Sequence, residues 1–232
     1  FALPLVTALI LLVNRNPAVR NTLVRVSALL MGVLSVAVGV MYFGHPFKIG
    51  VDSPLVRLLM MAVDGLAALT VLYFCVKYKR YLTALLGLAQ FFLIVAFEFH
   101  AGSYARSVWD FNIDNLSIIM ILIAGIIGGL IAVYSLGYMA VYHRKHVDVK
   151  DRRSFFFFVV FLFLSAMFGL VMSNNLLYMY TFWEITSLCS FLLIGYSGTN
   201  EAIHNSFKAL WMNLLGGLAF AMAIAYLGEH FY

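Results

Sequence analysis

The sequence predicts an all-α protein, a polytopic bundle of transmembrane helices, and three observations carry that prediction. Hydrophobic residues make up 64% of the 232 residues and charged residues only 11%, against roughly 25% charged in an ordinary soluble domain, and the mean hydropathy is +0.97. Apolar runs of the roughly 17–25 residues that a helix needs to cross a bilayer recur along the whole chain. These runs also lack the polar–apolar alternation of barrel strands, and lipid leaves a spanning backbone only the choice between helix and closed barrel.

About eight runs qualify as spans: 1–13, 22–43, 56–75, 81–98, 115–141, 155–172, 175–197 and 204–227. The first is short and begins without a methionine, so residues are expected before Phe1. It does not read as a cleaved signal peptide, since no small-residue cleavage site or soluble region follows it. In the fifth run Gly125 and Gly129 have GxxxG spacing, and in the last Gly216 and Gly217 are adjacent; both allow close helix approach. "FFFF" at 155–158 places aromatic bulk at a headgroup boundary. Only "SNN" (173–175) separates the next two runs, which must form a tight antiparallel hairpin. Cys75 and Cys189 have no metal-type spacing and read as small hydrophobes.

The net charge of +5 does not point to nucleic acid, because the basic residues are spread between spans rather than gathered on one element. Alternate loops differ instead. One set holds Arg15, Arg20 and Arg25, then Lys77, Lys79 and Arg80, then Arg144, Lys145, Lys150, Arg152 and Arg153; the other holds little more than Lys48, Arg57 and Arg106, beside Asp52, Asp110 and Asp114. By the positive-inside rule the first set is cytoplasmic and the N-terminal end faces outward. The loop "YHRKHVDVKDRRS" (142–154) reads first as a solvated cytoplasmic loop and, as the alternative, as a docking surface for a soluble partner.

A charged side chain at mid-bilayer costs about 2.5–3.5 kcal/mol on insertion scales and usually faces a bundle interior or wet cavity. Glu184, within "MYTFWEITSLCSFLLIGY" (179–196), qualifies best. Thr181, Glu184, Ser187 and Ser190 follow at helical spacing with Thr186 nearby, a polar stripe on an otherwise apolar helix. A buried carboxyl can be neutral or ionised according to its neighbours, and so can pass protons. Lys208 lies on the following span, where its stem reaches either inward to an acid or outward to the interface. His204, four residues earlier, reads first as a solvated interface residue and, as the alternative, as a proton relay, since an unperturbed imidazole changes charge near neutrality. Asp64 is the other mid-span acid, with no partner legible in the sequence.

"DNLSIIMILIAGIIGGLIAVYSLGYM" (114–139) and "SAMFGLVMSNNLLYMYTFWEITSLCSFLLIGY" (165–196) resemble the antiporter-like family: the large proton-pumping membrane subunits of respiratory complex I, the large Mrp cation/proton antiporter subunit and membrane subunits of energy-converting hydrogenases. The resemblance divides the chain into variable N-terminal helices (1–111) and the start of an antiporter-like translocation domain (112–232). It implies that Glu184 is the family's essential buried glutamate in an ion half-channel, and that Lys208 holds a position where members often carry a basic relay residue. The family's central lysine lies on a later, broken helix, so the natural chain is expected to continue past Tyr232. Gly217 stands where complex I members can carry an acid, and "LLGG" is nearer to the Mrp and hydrogenase types. The two spans at about 56–98 are additional to the family's minimum.

The function implied is H⁺ or Na⁺ translocation by an antiporter-like subunit of an energy-converting hydrogenase or related complex I-like assembly in a prokaryotic inner membrane. This chain would carry no cofactor. Iron–sulfur clusters and a NiFe centre would sit in partner subunits of a peripheral redox arm performing ferredoxin- or quinone-linked electron transfer, beside other membrane subunits. The alternatives are a structural membrane subunit, an Mrp-type antiporter subunit and a stand-alone transporter.

Overall fold

A computed structural model describes residues 1–14, 16–51, 53–101, 109–146 and 149–231. Arg15, Asp52, Arg106, Tyr232 and residues 147–148 of the charged loop lie outside the described residues. The helices are α1 (Ala2–Val13), α2 (Pro17–Tyr42), α3 (Pro54–Lys77), α4 (Tyr81–Ala101), α5 (Asn115–Leu122), α6 (Gly128–Lys145), α7 (Arg153–Met172), α8 (Leu176–Ile194) and α9 (Asn200–Phe231). A π-helical turn, Ile123–Ile127, joins α5 to α6 in one continuous rod. Among the described residues six segments are long and apolar enough to cross a membrane: α2, α3, the α5–α6 rod, α7, α8 and Asn200–Gly228 of α9. The helix Ala2–Val13 and the stretch Tyr81–Phe97 are apolar but shorter. This is a multi-pass membrane protein, with exposed Leu29, Leu58, Leu69, Leu85, Leu130 and Met212 on the outward faces of its helices.

Helix starts follow local capping chemistry. Asn16 caps α2 by accepting from the Ala18 N–H at 3.0 Å, with Pro17 at the first helical position, where its missing N–H costs nothing. Asp114 caps α5 by accepting from the Ser117 N–H at 2.7 Å, and that bond holds its carboxyl below the usual carboxylate range. Asn175 caps α8 through the Leu177 N–H at 3.0 Å. The three-residue link 173–175 therefore both closes the α7–α8 hairpin and starts its second arm.

Two sub-bundles share that hairpin. In the first, α1, α2, α5–α6 and α7 close around Leu11, Val24, Met31, Phe157, Phe161 and Leu164. Gly125 and Gly129 let α2 approach nearly backbone to backbone: a Cβ at Gly129 would stand 3.1 Å from the Ala28 carbonyl oxygen, and one at Gly125 would collide with Ser35. In the second, α3, α4, α8 and α9 pack around Cys75, Phe191, Phe207 and Leu210 and around Ile94, Tyr180, Ala221 and Ile224. The hairpin seam is filled by Ala166, Tyr178 and Phe182.

At one end the loops meet in a feature that hydropathy does not announce. Strands β1 (Phe47–Ile49) and β2 (Phe111–Ile113) pair antiparallel, Phe47 opposite Ile113. Asp110 ties this end together: its Oδ2 accepts from the Val51 N–H at 2.8 Å, its Oδ1 from Asn175 Nδ2 at 3.1 Å, and its carbonyl from the Asn174 N–H at 2.7 Å. At the opposite end His143 Nε2 lies 2.8 Å from the Tyr196 hydroxyl, Arg152 Nη2 donates to the Tyr196 carbonyl at 3.1 Å, and Arg153 grips Asp151 through contacts as short as 2.6 Å. Arg20, Lys77, Arg80, Arg152 and Arg153, from successive members of the basic set, thus gather at one end of the bundle.

Two outcomes follow. Asp114→Ala should lower the stability of the detergent-solubilised protein by about 1 kcal/mol, the usual value of such a cap, while Asp114→Asn retains most of it; thermal unfolding of the three proteins checks this. The hydrogen bonds from Arg153 pull Asp151 down to about 2. A folded value below the unfolded one of about 3.9 gives stability that is complete above that unfolded value and is lost as pH falls toward 2. Asp151 is 51% exposed, so the effect is small and salt-screened. The unfolding temperatures of wild type and Asp151→Asn should differ at pH 6 and converge as the pH approaches 2.

Candidate functional site: a buried carboxyl cluster

The site lies in the second sub-bundle and grows from successive turns of α8. Helical spacing puts Tyr180 one turn before Glu184, and the Tyr180 hydroxyl donates to Glu184 Oε1 at 2.7 Å. The same oxygen accepts from Gln90 Nε2 at 2.5 Å. Gln90 belongs to α4 and is only 2% exposed. It reaches Glu184 across Gly217 of α9, where a Cβ would stand 2.7 Å from Gln90 Nε2 and 3.0 Å from its Oε1. Glycine at 217 is what gives the amide its place. The carboxyl is therefore met by two neutral donors from two helices, and hydrogen bonds to a charged group are worth about 1.5–3 kcal/mol each.

The second acid is adjacent. Asp64 on α3 is buried, and its Oδ2 lies 3.0 Å from the Thr181 hydroxyl, which is also 3.2 Å from the Leu177 carbonyl oxygen of its own helix. Two small cavities touch Glu184. One, of about 10 Å³, is shared with Asp64 and Tyr180 and lies toward the β1–β2 end. The other, of about 30 Å³, is shared with Gln90, Ser187 and Asn213 and lies toward the basic end. A water needs roughly 10–15 Å³ and polar partners, so the larger cavity accommodates one and the smaller stands at the limit. Glu184 is the side chain common to both.

The polar stripe seen in the sequence is divided in the structure. Thr181 faces Asp64 and Ser187 lines the larger cavity, whereas the Thr186 hydroxyl donates to the Trp183 carbonyl at 2.7 Å and the Ser190 hydroxyl to the Thr186 carbonyl at 2.9 Å. Lys208 and His204 are exposed on α9, outside the cluster; His204 Nδ1 lies 3.5 Å from Arg80 Nη2 at the basic end. Among the described residues no three His, Cys, Asp or Glu side chains converge where a metal ion could be held. Gln90 escapes a search for charges, but as the chain's only glutamine, in mid-span, it is a detectable signal.

Residues 173–230, which include Tyr180, Glu184, Lys208 and Gly217, match the family model described as NADH:quinone oxidoreductase/Mrp antiporter, TM. Residues 99–148 match that described as NADH-Ubiquinone oxidoreductase (complex I), chain 5 N-terminus. These two stretches are similar to the antiporter-like membrane subunits of complex I and Mrp type. It is 37% identical over 112 residues to the Na(+)/H(+) antiporter subunit A1 of Staphylococcus haemolyticus strain JCSC1435, covering 48% of this chain and 13% of that protein. It is 34% identical over 112 residues to the protein of the same name from Staphylococcus aureus strain bovine RF122 / ET3-1, with the same coverage. The chain thus spans only about an eighth of the length of the curated relatives it matches. Asp64 on α3 and Gln90 on α4 lie outside both matched stretches.

The geometry makes a specific prediction. Gly217→Ala displaces the Gln90 amide, so it should reproduce the stability defect of Gln90→Ala, and the double variant should be no worse than either. Independent effects would add; thermal unfolding of the three variants distinguishes the two results.

Proposed function

We propose that the chain is an ion-translocating antiporter-like subunit of a membrane redox complex, of the energy-converting hydrogenase or related complex I-like type, with Glu184 as its ion-carrying group. The observation that carries this reading is a mid-span carboxyl that touches two cavities on opposite sides and lies within the matched antiporter segment. Electron transfer belongs to partner subunits in a peripheral arm holding iron–sulfur clusters and a NiFe centre. The basic end, with loop 142–154, faces the cytoplasm of a prokaryotic cell and the N-terminal end faces outward. A change of charge in a neighbouring subunit shifts the balance between ionised and neutral Glu184, and the carboxyl exchanges H⁺ or Na⁺ with one cavity and then the other.

A second reading, an Mrp-type cation/proton antiporter subunit without redox partners, is favoured by the relatives, both named Na(+)/H(+) antiporter subunit A1. The purified complex decides between the two: stoichiometric iron and nickel with copurifying redox subunits support the first, and their absence from an active complex supports the second.

Under either reading, Glu184→Gln should reduce ion transport in proteoliposomes at least tenfold while subunit composition is unchanged. Full transport by Glu184→Gln would overturn the proposal. Loss of subunits with transport intact in what remains would assign Glu184 to assembly.

A further inference from the structure

Helices α3 and α4 do more than enclose the site, because each contributes a buried polar side chain to it. Gln90 is bonded to Glu184. Asp64 faces the same small cavity as Glu184 and Tyr180, and its carboxylate lies 3.0 Å from the hydroxyl of the residue next to Tyr180. We propose that Asp64 is a second proton-carrying carboxyl that exchanges protons with Glu184 across this cavity, extending the path from Glu184 toward the β1–β2 end. The inference rests on the reading of Glu184 as the ion-carrying group and adds to it the next station and the ion carried on this side.

The step is a proton transfer that conserves charge. The O–H bond of neutral Glu184 breaks, its proton passes to the oxygen of Tyr180 or of a single water, that oxygen gives up its own proton, and an O–H bond forms on ionised Asp64. Glu184 is left ionised and Asp64 neutral. Tyr180 is suited to this because its hydroxyl already bonds Glu184 while its ring borders the Asp64 side. The cavity fits a proton and not a metal cation. It has about 10 Å³ of space, and four of its seven lining residues are Met61, Phe91, Ile94 and Val95, whereas a hard cation collects several oxygen ligands.

Among the described residues that line the cavity, the ionisable groups are Asp64, Tyr180 and Glu184. Around the cavity α8 brings Glu184 and Tyr180 and α3 brings Asp64, while α4 brings apolar side chains together with the Gln90 amide next to Glu184. Helix α9 presents Asn213 to the larger cavity and Gly217 beneath Gln90, its Lys208 facing outward.

The test uses the intact complex in proteoliposomes, with proton transport measured in sodium-free buffer and the carboxyl C=O band of Glu184, identified by its loss in Glu184→Gln, followed by infrared spectroscopy against pH. Asp64→Asn should lower proton transport at least tenfold and move the pH at which the Glu184 band titrates; Asp64→Glu should restore transport to within about threefold of wild type. If Asp64→Asn fails to assemble, Thr181→Val, which removes the hydroxyl beside Asp64 and keeps its shape, should slow transport and shift the same titration. Wild-type transport and an unshifted Glu184 titration in Asp64→Asn, with Glu184→Gln inactive, would overturn this inference alone. Wild-type transport by Glu184→Gln would overturn the reading beneath it. Transport that requires Na⁺, with ²²Na⁺ uptake lost in Asp64→Asn, would replace the proton by a cation and overturn the inference as stated.

Discussion

The arrangement of the second sub-bundle depends on one interaction, the pair of hydrogen bonds that Gln90 and Tyr180 donate to a single oxygen of Glu184. A carboxyl at mid-bilayer costs a few kcal/mol, and two good donors are of the size needed to offset it. Meeting that need constrains the neighbours. Helix α4 must lie against α9 closely enough for an amide to reach across, α9 must carry no side chain at Gly217, and α3 must complete the wall. The apolar clusters around Phe207, Leu210 and Ile224 hold these helices in place. Packing and site are thus one problem with one solution.

The shared hairpin connects this sub-bundle to the other. Helix α7 belongs to the core around Phe157 and Phe161, while its partner α8 carries the cluster, and two of the three residues that join them, Asn174 and Asn175, are bonded to Asp110 beside the β1–β2 pair. A displacement of the loops at that end moves the start of α8, and Glu184 lies nine residues along it. This is a physical route by which a neighbouring subunit seated on these loops would act on the carboxyl without touching it.

Much of the fold was legible in the sequence, because lipid makes hydropathy nearly sufficient for locating spans, and the helices fall within a few residues of the apolar runs. The α2 start at Pro17 shows where a cap overrides hydropathy. The β1–β2 pair was not legible: three-residue strands joined across a long sequence separation leave no periodic signal. The π turn at Ile123–Ile127 was hidden as well, since it keeps helical composition while changing only the hydrogen-bond register. In the site, Glu184 was legible because a lone acid in a span is conspicuous, and Asp64 for the same reason. Their proximity was not, for it depends on how α3 packs against α8. Gln90 was missed because a neutral amide gives no charge signal, and the significance of Gly217 depends entirely on the side chain above it. The stripe from Thr181 to Ser190 was real as a spacing, but the hydroxyls of Thr186 and Ser190 bond carbonyls of their own helix rather than the cluster.

The account rests on neutral donors, rather than a lysine, being the groups that hold Glu184. The most direct measurement is a high-resolution electron cryomicroscopy structure of the complete native complex in a lipid disc. The account predicts the Gln90 amide and Tyr180 hydroxyl within hydrogen-bonding distance of Glu184, Lys208 turned away from it, and ordered water in the cavity beside Ser187 and Asn213. A lysine ammonium from another segment or subunit seated on Glu184, with Gln90 rotated off, would contradict it.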